Sequence, residues 1–320
     1  MRPIILALSA LALLTAAPAQ AAPNPAPAAG GEPRLVDTIP DFARAWEATQ
    51  ALPDAERGAA FEAAFAPALP GFYDAARFET PKGKDAYRAR LLRNLKAFPQ
   101  DRAGIEDVEH RFSAMFAPAL KTFEARFGPM RGYAPIYLVH SLGEFDGGTR
   151  DLPQGVRLLF GADLIARIHK GPQVQPFFHH ELFHILHERS FGDCQPVWCG
   201  LWKEGLATYV ASRLNPGATD EALLLTLPEP IRPAVDANRK AAVCAVTARL
   251  DSTDDKDEAP LFTFQRLSPE LPPRFGYYVG FLVAQELGRT RSLEQLTKLS
   301  QAQAKPLIVA ALHGLADCAS

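Results

Sequence analysis

Half of the eight histidines of this 320-residue chain fall within nine residues, at His179, His180, His184 and His187, and His180-Glu181-Leu182-Phe183-His184 spells HExxH. With eight His and eighteen Glu in the whole sequence, chance would place that pattern in about one such chain in a hundred. A helix turns about 100° per residue, so His180 and His184 project from one face a single turn apart, where both imidazoles can reach one metal ion. Phe178, Leu182 and Ile185 fall on the opposite face and supply the apolar stripe that anchors such a helix in a core. Glu181 is rotated about 60° from His184, beside the metal, which is where a carboxylate takes a proton from water activated by the ion.

Two imidazoles leave a catalytic zinc one protein ligand short. His187 lies about 10.5 Å along the helix from His180, too far to share one ion, and reads as a neighbour that shapes the pocket. His179 points about 100° away from His180 and reads as a surface or outer-sphere group. Glu204 is the stronger candidate, within Leu201-Trp202-Lys203-Glu204-Gly205-Leu206-Ala207-Thr208-Tyr209. On that helix Ala207, Thr208 and Ala211 share the side of Glu204 and Gly205 adjoins it, so the face can approach another helix closely, as a bridging carboxylate requires.

HExxH followed, twenty positions after its second His, by Glu-Gly-Leu-Ala-Thr-Tyr resembles the gluzincin metallopeptidases and is similar to exported bacterial predicted zinc proteases of unassigned substrate. The resemblance implies Zn2+ held by His180, His184 and Glu204, with Glu181 as general base, in a fold where a strand runs along the cleft above the HExxH helix. The metzincin pattern does not fit, because its Gly would fall at His187 and its third His at Ser190. Some gluzincins place an Asp four residues after the ligand Glu to orient an imidazole; here that position is Thr208. Proteins of this kind often carry a late Tyr or His that donates to the oxyanion. Within Arg274-Phe275-Gly276-Tyr277-Tyr278-Val279-Gly280 that role falls to Tyr278, slightly ahead of Tyr277, with Arg274 binding a substrate carboxylate; an aromatic pair packing through a Gly276/Gly280 groove is the structural alternative.

Such chemistry must be held by a core. The chain is 48% apolar and 22% charged with a net charge of −2, which excludes disorder and gives no single-sign field to gather nucleic acid or an anionic bilayer. Residues 1–21 read as a signal peptide: Arg2, an apolar run from Ile4 to Leu14, and Ala19-Gln20-Ala21 as the cleavage site. No membrane span is expected after its removal, and the protein is expected in the periplasm or secreted. Residues 22–34 are an Ala/Pro-rich linker. Residues 35–130 form a helical N-terminal region, whose composition fits a propeptide, a lid or a substrate platform. Residues 131–320 form the zincin-like catalytic domain with C-terminal helices.

The expected fold is α+β and mostly helical, with a small sheet above the HExxH helix. Ile136 to Val139 and Val156 to Phe160 are strands, with Gly147-Gly148 in the loop between them. Helices follow over about 176–190, 201–214, 233–250 and 275–287, then a pair beginning near Ser292 and Pro306. The acidic run from Asp251 to Glu258 reads as a solvated loop. Cys194, Cys199, Cys244 and Cys318 form an even set in an exported chain, which allows three disulfide connectivities. Cys194 with Cys199 and Cys244 with Cys318 is favoured, and a zinc-thiolate pair at Cys194 and Cys199 is its rival.

The function these residues predict is hydrolysis of peptide bonds in an extended peptide or protein, lying against the edge of the strand from Val156 to Phe160. The alternative from another class is a non-catalytic exported binding or scaffold protein on a zincin frame.

Overall fold

The computed structural model describes residues 33–130, 135–169 and 171–318; the expected signal peptide and nearly all of the expected linker lie outside the described residues. A four-stranded mixed sheet forms from β1 (Leu35–Asp37), β2 (Ile136–Val139), β3 (Gly147–Leu152) and β4 (Gly155–Gly161) in the order β1-β2-β4-β3. β1, β2 and β4 are parallel and β3 is antiparallel to β4. Leu158, Leu159 and Phe160 are buried, as expected of an interior strand. This corrects two expectations. Gly147 and Gly148 begin a strand rather than sit in a loop, and β4 has partners on both sides, so the edges are β1 and β3, of which β3 adjoins β4.

The rest is helical. The first helices are α1 (Ile39–Thr49), α2 (Asp54–Phe65) and α3 (Pro81–Phe127). α3 starts cleanly, with Pro81 in the first turn and Thr80 Oγ1 accepting from Gly83 N–H at 3.1 Å. It runs for 47 residues through Pro99 and Pro118, although an interior proline deletes the N–H owed to the carbonyl four residues back. For Pro99 that carbonyl is Leu95, and the Trp46 indole N–H donates to it at 2.7 Å.

After β4 come α4 (Ala162–Ile168), α5 (Gln175–Phe191) and α6 (Val197–Leu214), which contain the HExxH and Glu204 segments. The single helix expected over 233–250 is two, α7 (Ile231–Ala237) and α8 (Arg239–Thr247), separated at Asn238, whose amide donates to Ala234 O at 3.1 Å. The acidic run is only partly loop: Asp254 caps α9 (Asp255–Phe262) and three further acids occupy its first turn, where the helix dipole favours them. α10 is Phe275–Leu287, α11 is Leu293–Thr297 and α12 is Gln301–Leu315. Ser292 and Ser300 both form capping boxes, with Gln295 and Gln303. α12 therefore starts five residues before Pro306.

The disulfides are Cys194–Cys199 and Cys244–Cys318, the favoured pairing, and the zinc-thiolate alternative falls with it. The first ties the end of α5 to the first turn of α6. The N-terminal helices share one core with the rest: β1 pairs with β2, and Phe112 and Phe116 of α3 pack on Phe178 of α5 at ring distances of 5.9 and 5.5 Å. The boundary at 130/131 thus marks a change of composition, not of core. No helix among the described residues is long and apolar enough to cross a membrane.

α6 crosses α10 closely, where Gly205 and Gly280 meet backbone to backbone. A Cβ at either would collide with the other helix. We expect Gly205→Val to destabilise the fold by about 3 kcal/mol or more. By contrast Gly314→Ala, on α12 with open space at its Cβ position, should be neutral or stabilise by up to about 1 kcal/mol. Urea unfolding of both variants checks the contrast.

Candidate metal centre

α5 begins with Pro176 in its first turn and ends at Gly192, whose φ of 74° suits glycine. Phe177, Phe178, Leu182 and Phe183 of this helix are buried, while Ile185 is half-buried. The opposite face turns His180 and His184 towards α6, and Glu204 meets them. His180 Nε2 lies 3.0 Å from His184 Nε2 and 3.2 Å from Glu204 Oε2, and His184 Nε2 lies 3.4 Å from Glu204 Oε2. The three donor atoms form a nearly equilateral triangle.

A hydrogen-bonded cluster does not explain all three edges. If both imidazoles donate to the carboxylate, two N–H groups face each other across 3.0 Å. If His180 donates to His184 instead, the His184 lone pair faces the carboxylate oxygen at 3.4 Å. No assignment of protons satisfies every edge. A tetrahedral cation with ligand bonds near 2.1 Å spaces its donors about 3.4 Å apart and attracts all three. His180, His184 and Glu204 are also the group of metal-ligating side chains that converges among the described residues. The donor set of two imidazoles and one carboxylate suits zinc.

These atoms line a cleft of about 280 Å³ with Asp146, Gly147, Phe177, Glu181, Thr208, Leu223, Leu224, Arg274 and Tyr277 among its walls. Glu181 lies across from β3: a Cβ on Gly147 would fall 2.8 Å from Glu181 Cγ and 2.7 Å from Phe177 Cζ. Gly147 is therefore glycine because the edge strand is pressed against the HExxH helix. β3 is anchored beside it. Asp146 accepts from Gly147 N–H at 3.0 Å and pairs with His169 at 3.0 Å, and buried Asp163 accepts from Gly143 N–H at 2.7 Å in the preceding loop.

Charges within the protein itself pull the cleft groups apart. Burial lifts the Glu181 carboxyl to about 8, aided by Asp146 and Glu204 against the opposing pull of His184. Burial alone would depress His184, but Glu204 overrides it and holds the imidazole up at about 9. Glu204 resists burial through both histidines and stays well below the usual carboxylate range, while burial lowers His180.

Other expected site residues lie elsewhere. Tyr278 does not line the cleft: its hydroxyl donates to Asp236 at 3.2 Å and its ring lies under Arg232, 4.8 Å away. One residue is about 100° of helix, and it is Tyr277 that faces the site, its ring 6.4 Å from that of His180. Thr208 Oγ1 donates to Glu204 O at 2.9 Å, so it does not orient an imidazole. Gly276 packs on Leu261 and Phe262, and Gly280 on Gly205.

His179 is a fully buried core histidine, contrary to the surface reading: its Nε2 meets Ala119 O at 2.9 Å and its Nδ1 meets the Asn215 amide at 2.8 Å. His187 does not shape the pocket either; it lies buried between the rings of Phe183 and Phe191 at 5.2 and 4.8 Å. Sequence reasoning missed Asp146, Gly147 and the Leu223-Leu224 wall. An Asp followed by two glycines before an alternating segment was the available signal.

Burial among these rings, with His184 and Lys203 nearby, depresses His187 to about 3. A base whose folded pKa lies below its unfolded value near 6.5 leaves stability intact above that value and erodes it as pH falls towards the folded one. Measured in EDTA, the stability difference between His187→Phe and the parent should therefore move in the variant's favour by about 1.4 kcal/mol per pH unit below pH 6. Parallel curves between pH 6 and 4.5 would show that His187 is not buried neutral.

No family model, curated protein or solved structure matches this chain.

Proposed function

We propose that this chain is an exported zinc-dependent metallopeptidase of the gluzincin type, in which the small sheet and the HExxH helix form a zincin-like core. The observation that carries the reading is the triangle of His180 Nε2, His184 Nε2 and Glu204 Oε2, whose edges of 3.0, 3.2 and 3.4 Å match the donor spacing of a tetrahedral ion. Zinc bound by these three atoms supplies a Lewis acid that acidifies water and polarises a carbonyl. Glu181 stands beside the triangle on the cleft wall. From there its carboxylate can take a proton from the attacking water and pass it to the leaving amine. Tyr277 stays protonated because burial raises its pKa, so its hydroxyl donates to the oxygen on which charge develops.

The edge of β3 runs past Glu181 at Gly147. An extended peptide pairing with that edge lays its carbonyls along the cleft by main-chain hydrogen bonds. This moves the substrate-pairing role from β4, where the sequence suggested it, to β3. The two disulfides fit an oxidising compartment outside the cytoplasm.

Metal analysis and peptide hydrolysis test the reading together. The purified chain should carry about one zinc, and His184→Ala or Glu204→Gln should lose it. Glu181→Gln should keep the zinc while kcat falls about 1,000-fold or more, and Tyr277→Phe should lower kcat by about 10- to 100-fold. Hydrolysis by Glu181→Gln at the parental rate would remove Glu181 from the chemistry. A folded, zinc-free chain that cleaves nothing would favour the binding or scaffold alternative.

A further inference from the structure

The steps above make no use of Arg274, whose guanidinium lines the cleft. Arg274 is 8% exposed, and no carboxylate among the described residues pairs with it. Its Nη1 donates to the carbonyls of Leu224 and Leu227 at 3.3 and 3.2 Å, and its cationic centre lies 4.6 Å above the Tyr277 ring. Two backbone carbonyls need a donor but not a charge; a glutamine amide would serve them.

The position makes the charge still less favourable. Arg274 directly precedes α10, where the positive end of the helix dipole opposes a cation. Its backbone is left-handed, with φ 64°, a conformation that costs a non-glycine residue energy. A buried cation at a helix N-terminus that has no carboxylate partner among the described residues gains further stabilisation from an anion arriving from the cleft.

We infer that Arg274 receives the free α-carboxylate of a peptide substrate, so that the site cleaves within about three residues of a chain's C-terminus. The inference names the substrate end for the hydrolase proposed above and rests on that reading for its direction. The dimensions favour a chain end. Tyr277 lies between the triad and Arg274, with ring distances of 6.4 Å to His180 and 4.6 Å to the guanidinium, so the span is at most about 11 Å, which up to three residues cover at about 3.5 Å each. The cleft of about 280 Å³ lies at the low end of ligand-pocket sizes, which suits a terminus better than the middle of a polypeptide. An acidic side chain would offer the same carboxylate, and the test separates the two sources.

Binding is measured by calorimetry on zinc-loaded Glu181→Gln protein with three N-acetylated tetrapeptides: an all-alanine free acid, its C-terminal amide, and an amide with glutamate in the last position. The free acid should bind about 30- to 100-fold more tightly than either amide, the range expected for a buried charge-assisted hydrogen bond. Arg274→Gln should bring acid and amide within about threefold of each other, and Arg274→Lys should restore part of the preference, since it keeps the charge without the fork. Equal binding of acid and plain amide, preference for the glutamate amide, or no binding of any of the three overturns the inference. The comparison among peptides on the parent site stands even if the Arg274 variants fold poorly. It is also separable from the hydrolase reading: acid-selective binding by a chain that cleaves nothing keeps the carboxylate site and sinks the peptidase.

Discussion

Three donor atoms on two different helices must stay within about 3.4 Å of one another, and the rest of the structure can be understood from that demand. A bound ion tolerates bond-length errors of only about 0.2 Å, whereas two helices packed by side chains alone can slide by more. The junction between α5 and α6 is accordingly held at several points. Cys194–Cys199 shortens the connection. Lys203 of α6 pairs with Glu188 of α5 at 2.9 Å. At the far end, Asn215 beyond α6 meets His179 of α5. Behind α6, the Gly205–Gly280 contact lets α10 bear directly on the turn that carries Glu204.

The same demand accounts for the cost of the site. Glu181 and Glu204 sit in one small cleft with Asp146, and burial makes each carboxylate harder to ionise. The histidines counter this for Glu204, which stays charged, but not for Glu181, which is lifted to about 8. Two carboxylates in one pocket thus diverge: Glu204 is held ionised while burial favours the protonated form of Glu181.

What the sequence made legible was what lies within one helical turn. HExxH fixes the relative direction of His180, Glu181 and His184 by helix geometry alone, and the small residues around Glu204 mark a face of close approach. The limits are equally physical. Helical period gives the angle between Tyr277 and Tyr278 but not the direction from which the neighbouring helix arrives, so the choice between them needed α6 and α7 in place. Gly147-Gly148 looks like a loop because glycine is depleted from strands; here the strand tolerates it since Phe177 and Glu181 occupy the space a Cβ would take. His179 and His187 look like surface or pocket groups on a helical wheel, and only α3 and the Phe183–Phe191 pair reveal them as core. Pro99 would break a helix in isolation, and Trp46, which satisfies the Leu95 carbonyl it strands, lies 49 residues from Leu95 in the chain.

The N-terminal region gains a role from the same geometry. None of the described residues before Asp146 lines the cleft, which weighs against a lid or a substrate platform. Yet its first strand is an edge of the sheet, and its long helix covers the back of α5 through Phe112, Phe116 and the carbonyl of Ala119. A propeptide that is cut away would leave β2 with an open edge and His179 with a buried ring nitrogen lacking its acceptor. Since His179 directly precedes His180, that loss would be felt at the metal ligands themselves. The region is therefore better understood as the frame against which the HExxH helix is set, with the described cleft residues all in the part of the chain that follows it.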